Sequence, residues 1–123
     1  MPTKPTFSMR VKGSEKTVDV KYDRLAYMRG DRTSLFALHR EFAGVNAPRA
    51  AREWIVSDPV SGYRLLRVRA TYKGMPISSR SMTLAEARQC ALADIDALAD
   101  RIGIVNFEAV IDRAHASAQT VGA

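Results

Sequence analysis

The sequence contains one cysteine and two histidines. It has no apolar run approaching the roughly 18–20 residues that a membrane span requires. A single thiol, Cys90, excludes an internal disulfide, and the expectation that follows is a reducing, cytoplasmic setting. His39 and His115 stand far apart, with no Cys or second His at metal-ligand spacing, so no metal or other cofactor is expected. There is no phosphate-binding glycine loop, no nucleophile–base pair and no framed pair of carboxylates, and on that ground no enzyme is expected. Met1-Pro-Thr-Lys-Pro lacks the apolar core of a signal peptide. Glycine and proline are not raised, which argues against a disordered chain.

What the sequence does have is positive charge, unevenly placed. The net charge is +6 over 123 residues. Residues 1–50 carry ten Lys/Arg against five Asp/Glu, residues 51–83 six against two, and residues 84–123 three against six. Such asymmetry points to one basic face and an acidic helical back.

Periodicity divides the chain. Phe7, Met9 and Val11 alternate with Ser8, Arg10 and Lys12; after Gly13-Ser14-Glu15-Lys16, Val18, Val20 and Tyr22 alternate with Thr17, Asp19 and Lys21. This pattern predicts a hairpin with one apolar and one charged face. Beyond Gly30-Asp31, Leu35, Leu38 and Phe42 recur at helical spacing, which predicts a short helix starting at Asp31 or Thr33 and stopping at Gly44. Trp54-Ile55-Val56 reads as a short strand, and Asp58-Pro59-Val60-Ser61-Gly62 as a turn. Leu66, Val68, Ala70 and Tyr72 then alternate with Arg67, Arg69, Thr71 and Lys73, while Leu65-Leu66 breaks the alternation and leaves room for a bulge. Ile77 to Met82 makes a polar third strand.

Thr83-Leu84-Ala85-Glu86 is a capping box, and Leu84, Ala87, Ala91, Ile95, Leu98 and Ile102 form an apolar stripe that ends at Gly103. Asn106 is placed to cap a further helix carrying Phe107, Val110, Ile111 and Ala114. The fold class expected is α+β: an N-terminal β-hairpin and short helix, then a three-stranded antiparallel sheet packed on an amphipathic helix, with a C-terminal helix. Residues 1–50 form the accessory hairpin-helix segment, 51–116 the three-strand-plus-helix unit and 117–123 a frayed tail, the whole a single compact domain.

The stretch from Trp54 to Phe107 resembles the DNA-binding domains of plant ethylene-response factors and the arm-site-binding domains of phage integrases. The resemblance rests on Tyr63-Arg64-Leu65-Leu66-Arg67-Val68-Arg69 as central strand, Tyr72-Lys73-Gly74 as second turn, Thr83-Leu84-Ala85-Glu86-Ala87-Arg88 as helix start and Gly103-Ile104-Val105-Asn106-Phe107 as ending. It covers under half the chain. The first strand lacks the family's arginine-rich opening, and the third carries only Arg80. The resemblance implies a sheet that reads duplex DNA, in a regulator or an accessory protein of a phage or other mobile element.

On the residues themselves, Arg67, Arg69, Thr71 and Lys73 are expected to project together from the central strand, with no acidic residue among them. Arg80 joins them from the next strand, Arg64 lies beside them, and Tyr63 is placed to stack on a base. Arginine's fork matches the two acceptors of guanine in the major groove, and lysine serves as a point charge for phosphate. Arg10, Lys12 and Lys21 on the first hairpin widen the footprint. The partner expected is therefore nucleic acid, duplex DNA first. The alternative is a protein-interaction module that docks on an acidic surface of a larger nucleic-acid machine, with a homodimer formed through the hairpin or the C-terminal helix. Other candidates read as structural. His39 and His115 are expected on helix surfaces and Cys90 as a partly buried thiol. Asp94, Asp96 and Asp100 are expected on a solvated helix face, pointing in different directions. Trp54, Phe36, Phe42 and Phe107 are expected in the core.

Overall fold

The computed structural model describes residues 4–10, 17–41, 52–72 and 75–121. The first hairpin forms as its alternation dictates. β1 (Thr6–Arg10) pairs antiparallel with β2 (Thr17–Lys21), and Phe7 and Met9 are buried. Residues 11–16, where a turn is expected, the segment 42–51 and the pair 73–74 lie outside the described residues.

The helix expected after Gly30-Asp31 is a strand. β3 (Asp23–Arg29) and β4 (Arg32–Arg40) form a hairpin with Gly30-Asp31 as its two-residue tip, Arg29 standing opposite Arg32. Gly30 takes φ +60°, a left-handed conformation that glycine adopts without steric cost. Leu25, Tyr27, Ser34, Phe36 and Leu38 turn to one face of this hairpin and are buried there. The helical spacing of Leu35 and Leu38 is coincidental: Leu38 lies in the core, whereas Leu35 is 61% exposed on the opposite face. From Phe36 to His39 every residue of β4 is buried, because both faces of the strand are covered.

β5 (Trp54–Ser57) pairs with β4, and β6 (Arg64–Arg67) pairs with β5, giving an antiparallel sheet in the order β3-β4-β5-β6. It draws strands from both sides of residue 51. The expected bulge is present: Val56 faces Leu66 and Ser57 faces Arg64, leaving Leu65 as the extra residue. Asp58 builds the preceding turn by accepting from the Ser61 hydroxyl (2.6 Å) and from the amides of Val60 and Ser61.

The long central strand expected from 65 to 73 is divided. Val68 gives its N–H to the Trp54 carbonyl (2.9 Å), but Arg69 gives its N–H to the Asp94 carboxylate (2.8 Å) on the following helix. Sheet pairing ends there. β7 (Arg69–Tyr72) pairs instead with β8 (Met75–Ser78) in a separate hairpin, so the three expected strands are shared between two sheets. The third strand is shorter than expected, and residues 80 and 81 form a turn. Ser79 is buried, its hydroxyl accepting the Trp54 N–H (2.8 Å).

α1 (Leu84–Ile102) carries the expected Thr83/Glu86 capping box, and Gly103 ends it. Its buried stripe is Ala87, Ala91, Ile95 and Ala99, flanked by Leu84 and Leu98; Ile102, expected on the stripe, is exposed. Small alanines let α1 lie close on the sheet. α2 (Ile104–Val121) starts one residue after α1 ends. Asn106 lies inside it, donating its side-chain amide to the Ile102 carbonyl (2.8 Å) rather than capping α2. The expected tail is helical through Val121. Phe107 and Ile111 complete a core with Leu25, Tyr27, Phe36, Leu38, Trp54, Val56 and Val68. The other face of the sheet is covered at its centre by β1–β2, with Phe7, Met9, Val20 and Tyr22 packed around Ala37. No helix of the described residues is long and apolar enough to cross a membrane.

Candidate nucleic-acid interface

The chemistry concentrates at one end of the four-stranded sheet, where β4 and β6 finish and β5 begins. Arg40 and Trp54 are directly paired there, and the guanidinium lies 4.3 Å over the indole. Arg40 also donates to the carbonyls of Arg52 (3.0 Å), Arg80 (2.8 Å) and Met82 (3.3 Å). A charge held this way is pre-oriented, its side-chain entropy already lost. A groove of about 680 Å³ opens beside it, lined by Lys4, Lys21, Arg40, Arg52, His39 and one carboxylate, Asp23, among others. Lys4 makes an ion pair with Asp23 (3.3 Å), and Lys21 is exposed.

His39 is not on a helix surface. It is buried in β4, Nδ1 lying 2.8 Å from the Arg40 carbonyl and Nε2 2.8 Å from the Ser57 hydroxyl. A carbonyl only accepts, so Nδ1 carries the proton and Nε2 accepts from Ser57 in the neutral ring. Burial pushes its pKa down, opposed by the Arg40 carbonyl and reinforced by the Arg64 charge.

Of the basic residues expected on the sheet, Arg67 and Arg64 are brought together, but with acidic company. Arg67 reaches Glu41 (2.9 Å) and Glu53 (3.1 Å), and Arg64 also approaches Glu41 (3.5 Å). The face that alternation makes purely basic therefore carries two carboxylates, supplied by the end of β4 and the residue before β5. Arg69 is exposed, at the start of β7. Arg80 is exposed in the following turn, its Nε donating to Ser78 (3.0 Å). Tyr63 is 52% exposed beyond the Asp58 turn, at the far end of β6. Backbone alone places Arg10 at the end of β1 and Thr71 in β7. Lys12 and Lys73 lie outside the described residues.

Sequence reasoning missed Lys4, Arg40 and Arg52. Reading residues 31–44 as a helix hid the one available signal, the alternation Ser34-Phe36-Leu38-Arg40 that sets Arg40 on the Trp54 side. Of the aspartates of α1, Asp96 and Asp100 are exposed as expected and Asp94 points elsewhere, half-buried, but Asp96 and Asp100 do not diverge. Asp96 accepts from the Tyr27 hydroxyl (2.6 Å), and both Asp96 (3.4 Å) and Asp100 (2.6 Å) pair with Arg29, so they share a face. His115 pairs with Asp58 (2.9 Å), tying α2 to the β5–β6 turn. Cys90 is half-buried, and burial with nearby Asp94 and Glu86 pushes its thiol up, away from nucleophilic character. Among the described residues no group of three or more His, Cys, Asp or Glu is placed to hold a metal ion. Compared with family models, with curated proteins and with solved structures, the chain matches none.

Proposed function

We propose that this protein is a non-enzymatic nucleic-acid-binding protein that holds the phosphate backbone in the groove at the basic end of the sheet. The observation that supports this reading is the groove lining, where, among the described residues, Lys4, Lys21, Arg40 and Arg52 stand with one carboxylate, Asp23. Lysine offers phosphate a mobile point charge, and Arg40, its N–H groups held by three carbonyls, adds fixed positive charge beside it. Backbone binding fits this surface better than a sheet laid into a major groove. The centre of the sheet is covered on both faces, and Arg64 and Arg67 are already paired with carboxylates.

The test is a fluorescence anisotropy titration with random duplex DNA, single-stranded DNA and RNA at about 50 and 200 mM salt. Micromolar or tighter binding that weakens steeply with salt is expected, because bound cations release counterions from the phosphates. Lys21→Glu should weaken binding to all sequences alike and flatten the salt dependence by about one unit per cation removed. No binding at the lower salt, or full binding by a Lys4→Glu/Lys21→Glu double variant, rejects this reading.

A second reading, a protein-interaction module, has its own support. Met28 (74% exposed) and Leu35 (61% exposed) sit diagonally on one face of the β3–β4 hairpin, an apolar spot beyond the cover of β1–β2. Self-association or partner capture lost in Met28→Ser/Leu35→Ser, together with no nucleic-acid binding, would favour it.

A further inference from the structure

A second cleft, of about 340 Å³, lies between the β6–β7 junction and the C-terminal half of α1. Its size falls in the lower part of the ~300–1,000 Å³ typical of small-molecule sites. Leu65, Leu66 and Leu98 line it with half-buried apolar surface, and the exposed Arg69 and Arg101 stand around it. Asp94, half-buried, lines it too, a carboxylate in company with leucines. Among the described residues the one hydrogen bond Asp94 accepts is from the Arg69 N–H, through Oδ2 (2.8 Å). Burial pushes its pKa up, as expected for a carboxylate short of donors.

We propose that this cleft takes a single unstacked guanine base of a bound strand, with Asp94 reading the base. This rests on the nucleic-acid reading above. Arg67 joins the two sites, because it lines this cleft and pairs with Glu41 and Glu53 at the end of the sheet where the groove lies. A carboxylate offers two adjacent acceptors and no donor. The Watson–Crick edge of guanine offers two adjacent donors, N1–H and the N2 amino group, and is the one such edge among the bases to do so. Adenine and cytosine each set a ring-nitrogen lone pair beside their amino group, and uracil and thymine flank one N–H with two carbonyls. Each of those would place an acceptor against the carboxylate. The adjoining edge of guanine carries O6 and N7, the pair that an arginine fork matches, and Arg69 and Arg101 line the same cleft. The leucines take the face of the ring, and a guanidinium plane can stack on its other side.

The experiment measures binding of guanosine, adenosine, cytidine and uridine 5′-monophosphates to the full chain by calorimetry, with and without Asp94→Asn. Asparagine keeps an oxygen for the Arg69 N–H but replaces the second acceptor with a donor, so the fold should survive; circular dichroism checks this. Guanosine monophosphate should bind at least about tenfold more tightly than the other three, the discrimination expected of one bidentate pair. Asp94→Asn should erase that preference, while Lys21→Glu should leave it. Equal affinities for the four nucleotides, or a preference that persists in Asp94→Asn, overturns the proposal. Oligonucleotide binding that is salt-sensitive, Lys21-dependent and indifferent to base would sink the guanine site alone and leave the backbone reading standing. A guanine preference without oligonucleotide binding would reject the backbone reading and the bound strand, leaving a free guanine nucleotide as the occupant of the cleft, and absence of both removes both.

Discussion

Arg29 and Arg32 stand opposite each other across the Gly30-Asp31 tip, and each reaches a different helix. Arg29 takes Asp96 and Asp100, one turn apart on α1; Arg32 takes Glu108 (3.0 Å) and Asp112 (2.7 Å), one turn apart on α2. The acidic helices are thus partly neutralised by the tip of a basic hairpin. Carboxylates four residues apart on a helix share a face, which is why one guanidinium can span them.

These pairs are half-exposed, so they register the hairpin more than they stabilise it. Arg32→Gln should lower unfolding stability by no more than about 1 kcal/mol, the range of surface ion pairs. In about 1 M salt the difference from the parent should vanish in urea denaturation, because the Debye length falls to roughly 3 Å.

Phe107 is a different case. It is buried against Tyr27 (ring centroids 6.0 Å apart) and Phe36 (6.3 Å), where α2 meets the sheet. Phe107→Ala should cost about 3–5 kcal/mol, combining lost transfer energy with a cavity. Chemical denaturation would read this as a shifted midpoint, and a cost of about 1 kcal/mol would mean that α2 packs loosely on the sheet.

His39 ties stability to pH. Its pKa is lower folded than unfolded, so the unfolded chain takes up the proton first. Stability from this residue is complete above the ordinary value of 6.5 and is lost as pH falls below it, towards the folded value. Denaturation midpoints between pH 8 and 5.5 should fall with acidification, and the fall should be shallower in His39→Gln. Parallel profiles would show that another group carries the dependence.

Arg40→Lys keeps the charge and removes the fork. With three carbonyls and the Trp54 ring as partners, the substitution should cost about 1–3 kcal/mol, through hydrogen bonds from a charged donor. Trp54 is the one tryptophan in the sequence, so its fluorescence reports both unfolding and occupation of the adjacent groove.

Elements with local causes were legible beforehand. The Thr83/Glu86 box and Gly103 bound α1 from within the chain, and Phe7/Met9 against Ser8/Arg10 defines β1 by alternation alone. The β3–β4 hairpin was not, because β4 is buried on both faces from Phe36 to His39 and so loses its alternation just where it matters. Its tip did leave a mark: Leu25 and Tyr27 before Gly30-Asp31, Ser34 and Phe36 after it. The site was less legible than the fold. That Arg67 meets Glu41 and Glu53 depends on three strands coming into register, and that Arg69 faces Asp94 depends on a sheet break set by one side chain.

Between α1 and α2 the chain has one residue, Gly103, at φ +90°. A methyl group there would meet nothing closer than the Asn106 amide at 3.6 Å, so the backbone angle reserves the position for glycine rather than lack of room. So short a joint also locks phase. Each residue advances a helix by roughly 100°, so one residue inserted at this corner would rotate α2 by that amount. Phe107 and Ile111 would swing off the sheet, and Glu108 and Asp112 away from Arg32. The interval from Ile95 to Phe107 is therefore as much a determinant of this structure as the two side chains at its ends.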